Sequence, residues 1–246
     1  MDAAAIDEAY RLEDDHWWFV GKRLLVAALL EDVLGDPSLR LLDVGCGTGG
    51  VLAALKDRTR IVGVDRSLRA LSYCRRRGVV KLVCAEAHRL PFGRGTFDGI
   101  LLLDVLEHVV DDALVLRDVR TLLAPGGFVL VSVPAFQFLW GTHDDAVGHI
   151  RRYRPRTLRD TLERAGFVVR RLTHTNVIAF PPAVIARTIL GRLGLRRRHG
   201  TDFQVHARAV NRALISAYRL EAAVLRHVGR LPVGVSIAAL ATTTAA

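Results

Sequence analysis

The sequence predicts an α/β protein, a doubly wound, seven-stranded, mainly parallel sheet with a helical insertion near the C-terminus. Three observations lead there. Short continuous apolar runs alternate with helical stretches through the first 135 residues, the pattern of a parallel sheet covered on both faces. A glycine cluster, Gly45 to Gly50, joins the first of these runs to the first helix of the series. After Val133 the rhythm changes, first to a segment rich in aromatics, histidines and glycines, then to arginine-rich helical sequence and a last β-rich run.

Residues 39–44 are the expected first strand, followed by the glycine turn and a helix over 50–56. A second strand over 61–65 leads into a helix over 68–77, stopped at Gly78. The third strand is placed at 81–85 and the fourth at 97–103. A helix over 111–123 then ends before Pro125-Gly126-Gly127, and 128–133 is the fifth strand. Residues 134–153 are expected to form an active-site loop. A helix over 156–165, with Gly166 as its stop, precedes a strand at 167–172. Pro181-Pro182 opens a helical segment that runs to about Gly229. The last strand, 235–242, is expected to pair with the sixth as a hairpin. Within the helical segment, Val184, Ile185, Ile189 and Leu193 recur at near-helical spacing, as do Val210, Leu214, Ala217 and Val224, so these are the expected inward faces.

Composition narrows the class. Half of the 246 residues are apolar and 24% are charged, as in a packed globular protein. No uncharged apolar run reaches the ~20 residues of a spanning helix, and the acidic first ten residues lack the features of a secretion signal. Cys46, Cys74 and Cys84 show no metal-ligand spacing, which fits a reducing cytoplasm. The net charge of +10 is unevenly spread. Residues 1–150 hold 17 basic and 21 acidic side chains, and residues 151–246 hold 18 and 4. With three lysines and 32 arginines, gene composition accounts for arginine over lysine, but not for the loss of acids after Ile150. Arg192, Arg196, Arg197 and Arg198 are therefore expected to attract an anionic acceptor carrier or an anionic membrane surface. The competing expectation is a solvated face.

The chemistry-bearing segment is Leu41-Leu42-Asp43-Val44-Gly45-Cys46-Gly47-Thr48-Gly49. Its glycines let the backbone turn out of the strand and approach a ligand closely, and the next helix presents unpaired N–H groups there. Gly45-x-Gly47-x-x-Gly50 also satisfies the dinucleotide pattern. Asp43 weighs against that reading, because a carboxylate there repels a pyrophosphate and favours the ammonium of a methionine moiety. Asp65, at the end of the second strand, suits a pair of ribose hydroxyls. Glu86, just after the third strand, suits the exocyclic amine of adenine.

Together these residues resemble the class I S-adenosylmethionine-dependent methyltransferases, which have a Rossmann-like fold. The resemblance covers roughly residues 39–135. It implies that Asp43, Gly45, Cys46 and Gly47 hold the methionine part, Asp65 and Arg66 the ribose side, and Glu86 with the backbone of Ala87 the adenine. Many relatives have Asp where this chain has Glu86. Leu103-Asp104-Val-Leu-Glu107-His108 is similar to the segment lying against the methionine side, which adds Asp104 to the cofactor residues. The implied organisation is one domain, 1–246, with lid helices over 1–36, a cofactor-binding core over 37–135, an acceptor loop over 136–155 and the insertion over 180–230.

Two flanking segments look like those of methyltransferases of glycan and lipid-glycan assembly. His16-Trp17-Trp18-Phe19 with Arg23 resembles their entrance helix, placing Trp17 and Arg23 against the cofactor, with packing of a lid as the competing role for Trp17. His143-Asp144-Asp145-x-x-Gly148-His149-x-Arg151-Arg152-Tyr153 resembles their acceptor loop. The expected acceptor is thus a small molecule, a saccharide or lipid-linked glycan hydroxyl, with a quinone or other isoprenoid-linked phenol as the alternative. An alcohol must lose its proton, and His143 is the leading candidate base, oriented by Asp144 or Asp145, with His149 and His108 as competitors. His108, Asp145, Arg151 and Tyr153 are expected to contact the acceptor. Asp144 and Asp145 could instead hold Mg²⁺. A nicotinamide oxidoreductase accounts for the glycines and Asp65, but not for Asp43. Nucleic acid is not an expected partner, because no base-flipping motif or RNA module accompanies the basic half.

Overall fold

The computed structural model describes residues 3–189 and 207–243. Seven strands, β1 (Arg40–Val44), β2 (Arg60–Asp65), β3 (Leu82–Cys84), β4 (Phe97–Leu103), β5 (Leu123–Pro134), β6 (Phe167–Thr175) and β7 (Ser236–Thr243), form one sheet. Their order is β3-β2-β1-β4-β5-β7-β6, parallel except for β7, which is antiparallel to both neighbours. The order reverses between β1 and β4, and a crevice opens beyond the carboxyl ends of strands at such a point.

Because successive strand residues face opposite sides, each run feeds two cores. Leu42, Ile100, Leu102 and Val131 pack on one face with Leu116 and Val119 of α5 (Asp112–Leu122) and Leu158 and Leu162 of α7 (Pro155–Arg164). Leu41, Leu101, Leu103 and Leu130 pack on the other with Leu25 and Leu29 of α2 (Trp17–Leu29) and Tyr218 and Leu225 of α9 (Arg208–Val228). Side-chain oxygens start two of the covering helices. Ser67 accepts from the N–H of Ala70 at the head of α4 (Leu68–Arg76), and Asp111 from that of Leu114 at the head of α5, satisfying donors that have no intrahelical partner. The helix α3 (Gly50–Leu55) follows the glycine turn, and α1 (Ala3–Glu13) lies against α4.

The expected fold class and strand series are present, with three corrections. Residues 134–153 are not a single loop. They contain a short turn of helix, Gln137–Leu139, and α6 (Thr142–Val147), which closes at Gly148 in the left-handed region, φ 76°. The helical segment begins as α8 (Phe180–Val184) and a π-helical turn, Ile185–Ile189. The inward face of α9 is also not the one expected. Tyr218, Glu221, Ala222 and Leu225 are buried, whereas Val210 and Val224 are exposed. The buried residues follow helical spacing, but a face that carries a tyrosine and a glutamate does not register as apolar. Ile185 is likewise exposed, and Leu193, Arg192, Arg196, Arg197 and Arg198 lie outside the described residues. Among the described residues no helix is long and apolar enough to cross a membrane.

Candidate functional site

A cavity of about 990 Å³ opens at the carboxyl ends of β1, β2, β4 and β5, roofed by α1 and α2 on one side and bounded by α6 and α8 on the other. Its first half is built on the glycine turn. Gly45 has φ 74°, and a Cβ there would stand 2.7 Å from a methyl of Val105, so this turn is open only to glycine. The Asp65 carboxylate accepts the N–H of Gly47 at 2.9 Å and that of Ser67 at 2.8 Å. Asp43 is buried, and burial pushes its carboxyl up to about 7, with the charges of Asp65 and Glu13 adding and Lys22 opposing. Glu13 of α1 accepts the Thr48 hydroxyl at 2.5 Å and pairs with Arg77 at 3.3 Å.

These residues fit a nucleoside with a cationic amino-acid tail better than a dinucleotide. The N–H of Gly47, which a pyrophosphate would recruit, is already given to Asp65, and Asp43 and Asp65 face the same turn. Cys46, Arg66, Glu86 and Ala87 line the cavity. Trp17 both lines it and packs against Trp18 and the Tyr218 ring, at 5.7 and 5.8 Å. Arg23 reaches the wall, but its N–H groups go to the carbonyls of Glu13 and Asp14 at 2.5 and 3.1 Å, closing the end of α1. The inward cation is its neighbour Lys22, missed in the sequence, whose Nζ lies 2.8 Å from Asp104. Burial opposes both charges, yet each holds the other ionised, so the lysine is raised and the aspartate lowered. Asp104 leaves β4 in the left-handed region, φ 61°, a conformation that aspartate tolerates better than most side chains.

The second half carries the histidines. His149 stands between two buried carboxylates, with Nδ1 at 2.8 Å from Asp144 and Nε2 at 3.7 Å from Glu107. Asp144 also accepts two N–H groups of Arg152, at 2.8 and 3.0 Å, and the N–H of Gly141 at 2.7 Å. Despite burial, the bonds from His149 and Arg152 hold its carboxyl well below the usual range. His108 places Nδ1 at 3.1 Å from the Gly148 carbonyl, and its ring is 4.8 Å from that of His149. Burial, and then the neighbouring His149, lowers its pKa. His143 lines the cavity with its ring edge-on to His149 at 6.1 Å. Glu107 is fully buried and neither carboxylate oxygen has a hydrogen-bond partner. Burial first, and then Asp104, drives its pKa far up. Around this cluster the wall is mixed, with Val109, Val110, Leu139, Val147, Pro182 and Ala183 beside Asp111, Arg152 and Arg187.

Four expectations fail here, each because a side chain is committed elsewhere. The Tyr153 hydroxyl is buried on Asp112 at 2.7 Å and the Leu106 carbonyl at 3.2 Å, so it is core rather than acceptor wall. Arg151 binds Asp112 and the carbonyls of Val109 and Val110, bracing the strand end. Asp145 is exposed and accepts Trp140 Nε1 at 2.9 Å. Asp144 orients His149, not His143, and the Asp144–Asp145 pair makes no shared Mg²⁺ site, since adjacent residues on α6 point to different partners. Glu107 and Arg152, like Lys22, are groups of the cavity to which spacing assigned no role. The signal available for Glu107 was a second acidic residue, following Asp104, at the exit of β4.

Comparisons with known proteins bear on the family and the fold. Residues 19–172 match a family profile described as a methyltransferase domain. A ubiquinone biosynthesis O-methyltransferase from Marinobacter nauticus is 33% identical over 162 residues, 54% of this chain and 66% of the relative. A 37.1 kDa protein of transposon TN4556 from Streptomyces fradiae is 30% identical over 154 residues, 59% of this chain and 44% of that protein. This chain therefore spans less than two thirds of the length of these curated relatives. Among solved structures, an S-adenosylmethionine-dependent methyltransferase from Archaeoglobus fulgidus superposes with a TM-score of 0.60 at 19% identity, covering 98% of this chain and 100% of that one. At that identity the likeness concerns the fold.

Proposed function

The chain belongs to the methyltransferase-domain family, and we propose that it takes a methyl group from S-adenosylmethionine and places it on a phenolic hydroxyl of an acceptor with an apolar body. The observation that carries this reading is the His143–His149–His108 cluster, flanked by the apolar side chains of Val109, Val110, Leu139, Val147 and Pro182 and adjoining the cofactor half through Asp104 and Glu107. The ubiquinone O-methyltransferase among the relatives supports the phenol. These apolar side chains favour it over the saccharide that the flanking motifs suggest.

When bound, S-adenosylmethionine supplies a methyl group already activated by its sulfonium. Asp43 and the backbone of Gly45–Gly47 hold the ammonium end, Asp65 accepts from the ribose hydroxyls, and Glu86 with the backbone of Ala87 receives the adenine. Lys22 keeps Asp104 ionised beside the reacting end. What remains is alignment and removal of one proton. Alignment converts the transfer into a first-order event, and the apolar side chains of the wall exclude water from it. A ring nitrogen of His143, which lines the cavity beside His149, receives the proton of the acceptor hydroxyl, while the Nδ1 atoms of His149 and His108 are held by Asp144 and the Gly148 carbonyl and the Nε2 of His149 faces Glu107.

Labelled-methyl transfer across phenols, saccharides and lipids tests the acceptor class. Label is expected on phenolic oxygen, and transfer confined to saccharides or to nitrogen would overturn the reading. His143→Ala should lower turnover by about 10²-fold or more with cofactor affinity nearly intact. Turnover within a few-fold of wild type would remove His143 from the mechanism.

A further inference from the structure

We propose that Glu107, His108 and His149 form a binding site for one divalent transition-metal ion of the zinc, manganese or iron class, at the acceptor end of the cavity. Each offers a ligand atom, and the three atoms lie within 4.8 Å of one another. Ligands ~2.0–2.2 Å from a common ion stand ~3–4 Å apart. The Oε1 of Glu107 and the Nε2 of His149 already meet that spacing at 3.7 Å.

Proton positions make the case stronger than proximity does. Asp144, held ionised by Arg152, can only accept, so His149 carries its hydrogen on Nδ1 and turns the lone pair of Nε2 toward Glu107. The Gly148 carbonyl can also only accept, which places the His108 hydrogen on Nδ1 and frees its Nε2 as a ligand. Glu107 then faces a lone pair rather than a donor, which accounts for a fully buried carboxylate with no hydrogen bond. Such a group needs a cation or a proton between itself and His149. The carboxylate–histidine–metal relay Asp144–His149 is the outer-shell arrangement that fixes a ligating imidazole and raises its basicity. Two imidazoles with one carboxylate select a borderline ion over Mg²⁺ or Ca²⁺. All three residues line the cavity, so the remaining coordination positions face the acceptor. Only this last point, coordination of the acceptor oxygen, rests on the proposed function.

The test is titration of tag-free, chelator-stripped protein with Co²⁺, read by calorimetry and by the visible ligand-field bands of a nitrogen- and oxygen-bound ion. One equivalent should bind, and Zn²⁺ should displace it. His108→Ala, at an exposed position, and Glu107→Gln should abolish the bands. Asp144→Asn should weaken binding by about 10–100-fold, and Asp145→Asn should leave it unchanged. Thermal melts of each variant separate lost sites from lost folds. The proposal is overturned if no equivalent binds, which leaves a proton shared by Glu107 and His149, or if folded His108→Ala binds as wild type does. Since neither cofactor nor acceptor is present, failure of methyl transfer to phenols would not alter this result.

Discussion

Asp43 and Asp65 are both carboxylates at strand ends, and their surroundings give them different behaviour. Asp65 shares its oxygens between two backbone N–H groups. Asp43 is buried beside other acids, so its folded pKa of about 7 lies above its unfolded value. Between roughly pH 4 and 7 the folded chain holds a proton that the unfolded chain has released, so this group lowers stability as pH rises through that window. Binding of a cationic tail has the opposite sign, because it needs the ionised form. Affinity for S-adenosylhomocysteine should therefore fall as pH drops below about 7, by up to about tenfold per unit, and Asp43→Asn should flatten the profile. Calorimetry from about pH 5.5 to 8.5, either side of the Asp43 value, checks this, and an equally steep profile in the variant would detach it from Asp43. Asp43 was legible from sequence because its role follows from local spacing to Gly45. The choice between Lys22 and Arg23 was not. Neighbours on a helix point about 100° apart, and only the docking of α2 decides which of them faces Asp104.

At the level of elements, α2 and α9 form the roof, and their contact is tight at one point. A Cβ on Gly21 would stand 2.5 Å from the Tyr218 ring, and that ring is fully buried. Glu221, one turn further, accepts the Val177 N–H at 3.0 Å and so ties α9 to the chain entering α8. Arg171 of β6 bonds the carbonyls of Leu225 and Gly229 at the end of α9, a favourable place for a cation. Gly21→Ala should then destabilise the protein by about 1–3 kcal/mol through overpacking, and a chemical-denaturation midpoint checks it. An unchanged midpoint would mean that the roof adjusts freely. Both helices were visible as helices in the sequence. Their pairing, and the buried face of α9, were not, because Gly21 and Tyr218 are 197 positions apart and neither follows an apolar repeat.

For the molecule as a whole, α1 acts as a strap across the cofactor half. Arg69 holds Asp7 with two bonds at 2.6 and 2.5 Å, Tyr73 adds a third at 2.6 Å, and the Tyr10 and Tyr73 rings stack at 4.0 Å. These hydrogen bonds, from Arg69 and then Tyr73, bring the Asp7 carboxyl down to about 2. The strap contributes Ile6, Ala9 and Glu13 to the cavity wall, while its polar ties to α4 are exposed and individually weak. Ligand in the cavity should therefore protect α1 through Glu13 and Ile6. Limited proteolysis within residues 3–16 is expected to slow several-fold with S-adenosylhomocysteine, and an unchanged rate would show that α1 does not respond to the site.

The strand series, the glycine turn and the two carboxylates beside it were determined by the sequence alone, because each depends on residues within a few positions of one another. Apolar runs of strand length between helical stretches leave few alternatives to a parallel sheet, and Gly45 serves a turn that excludes a Cβ. The acceptor half was decided by tertiary structure. His143, His149, Asp144, Asp145, Arg151, Arg152 and Tyr153 form one polar stretch in the sequence. Folding sends Tyr153 and Arg151 to Asp112, Asp145 to Trp140, and Asp144 behind His149. Burial then makes a ligand candidate of Glu107, because its carboxylate meets His149 only when the chain from α6 folds back over the end of β4.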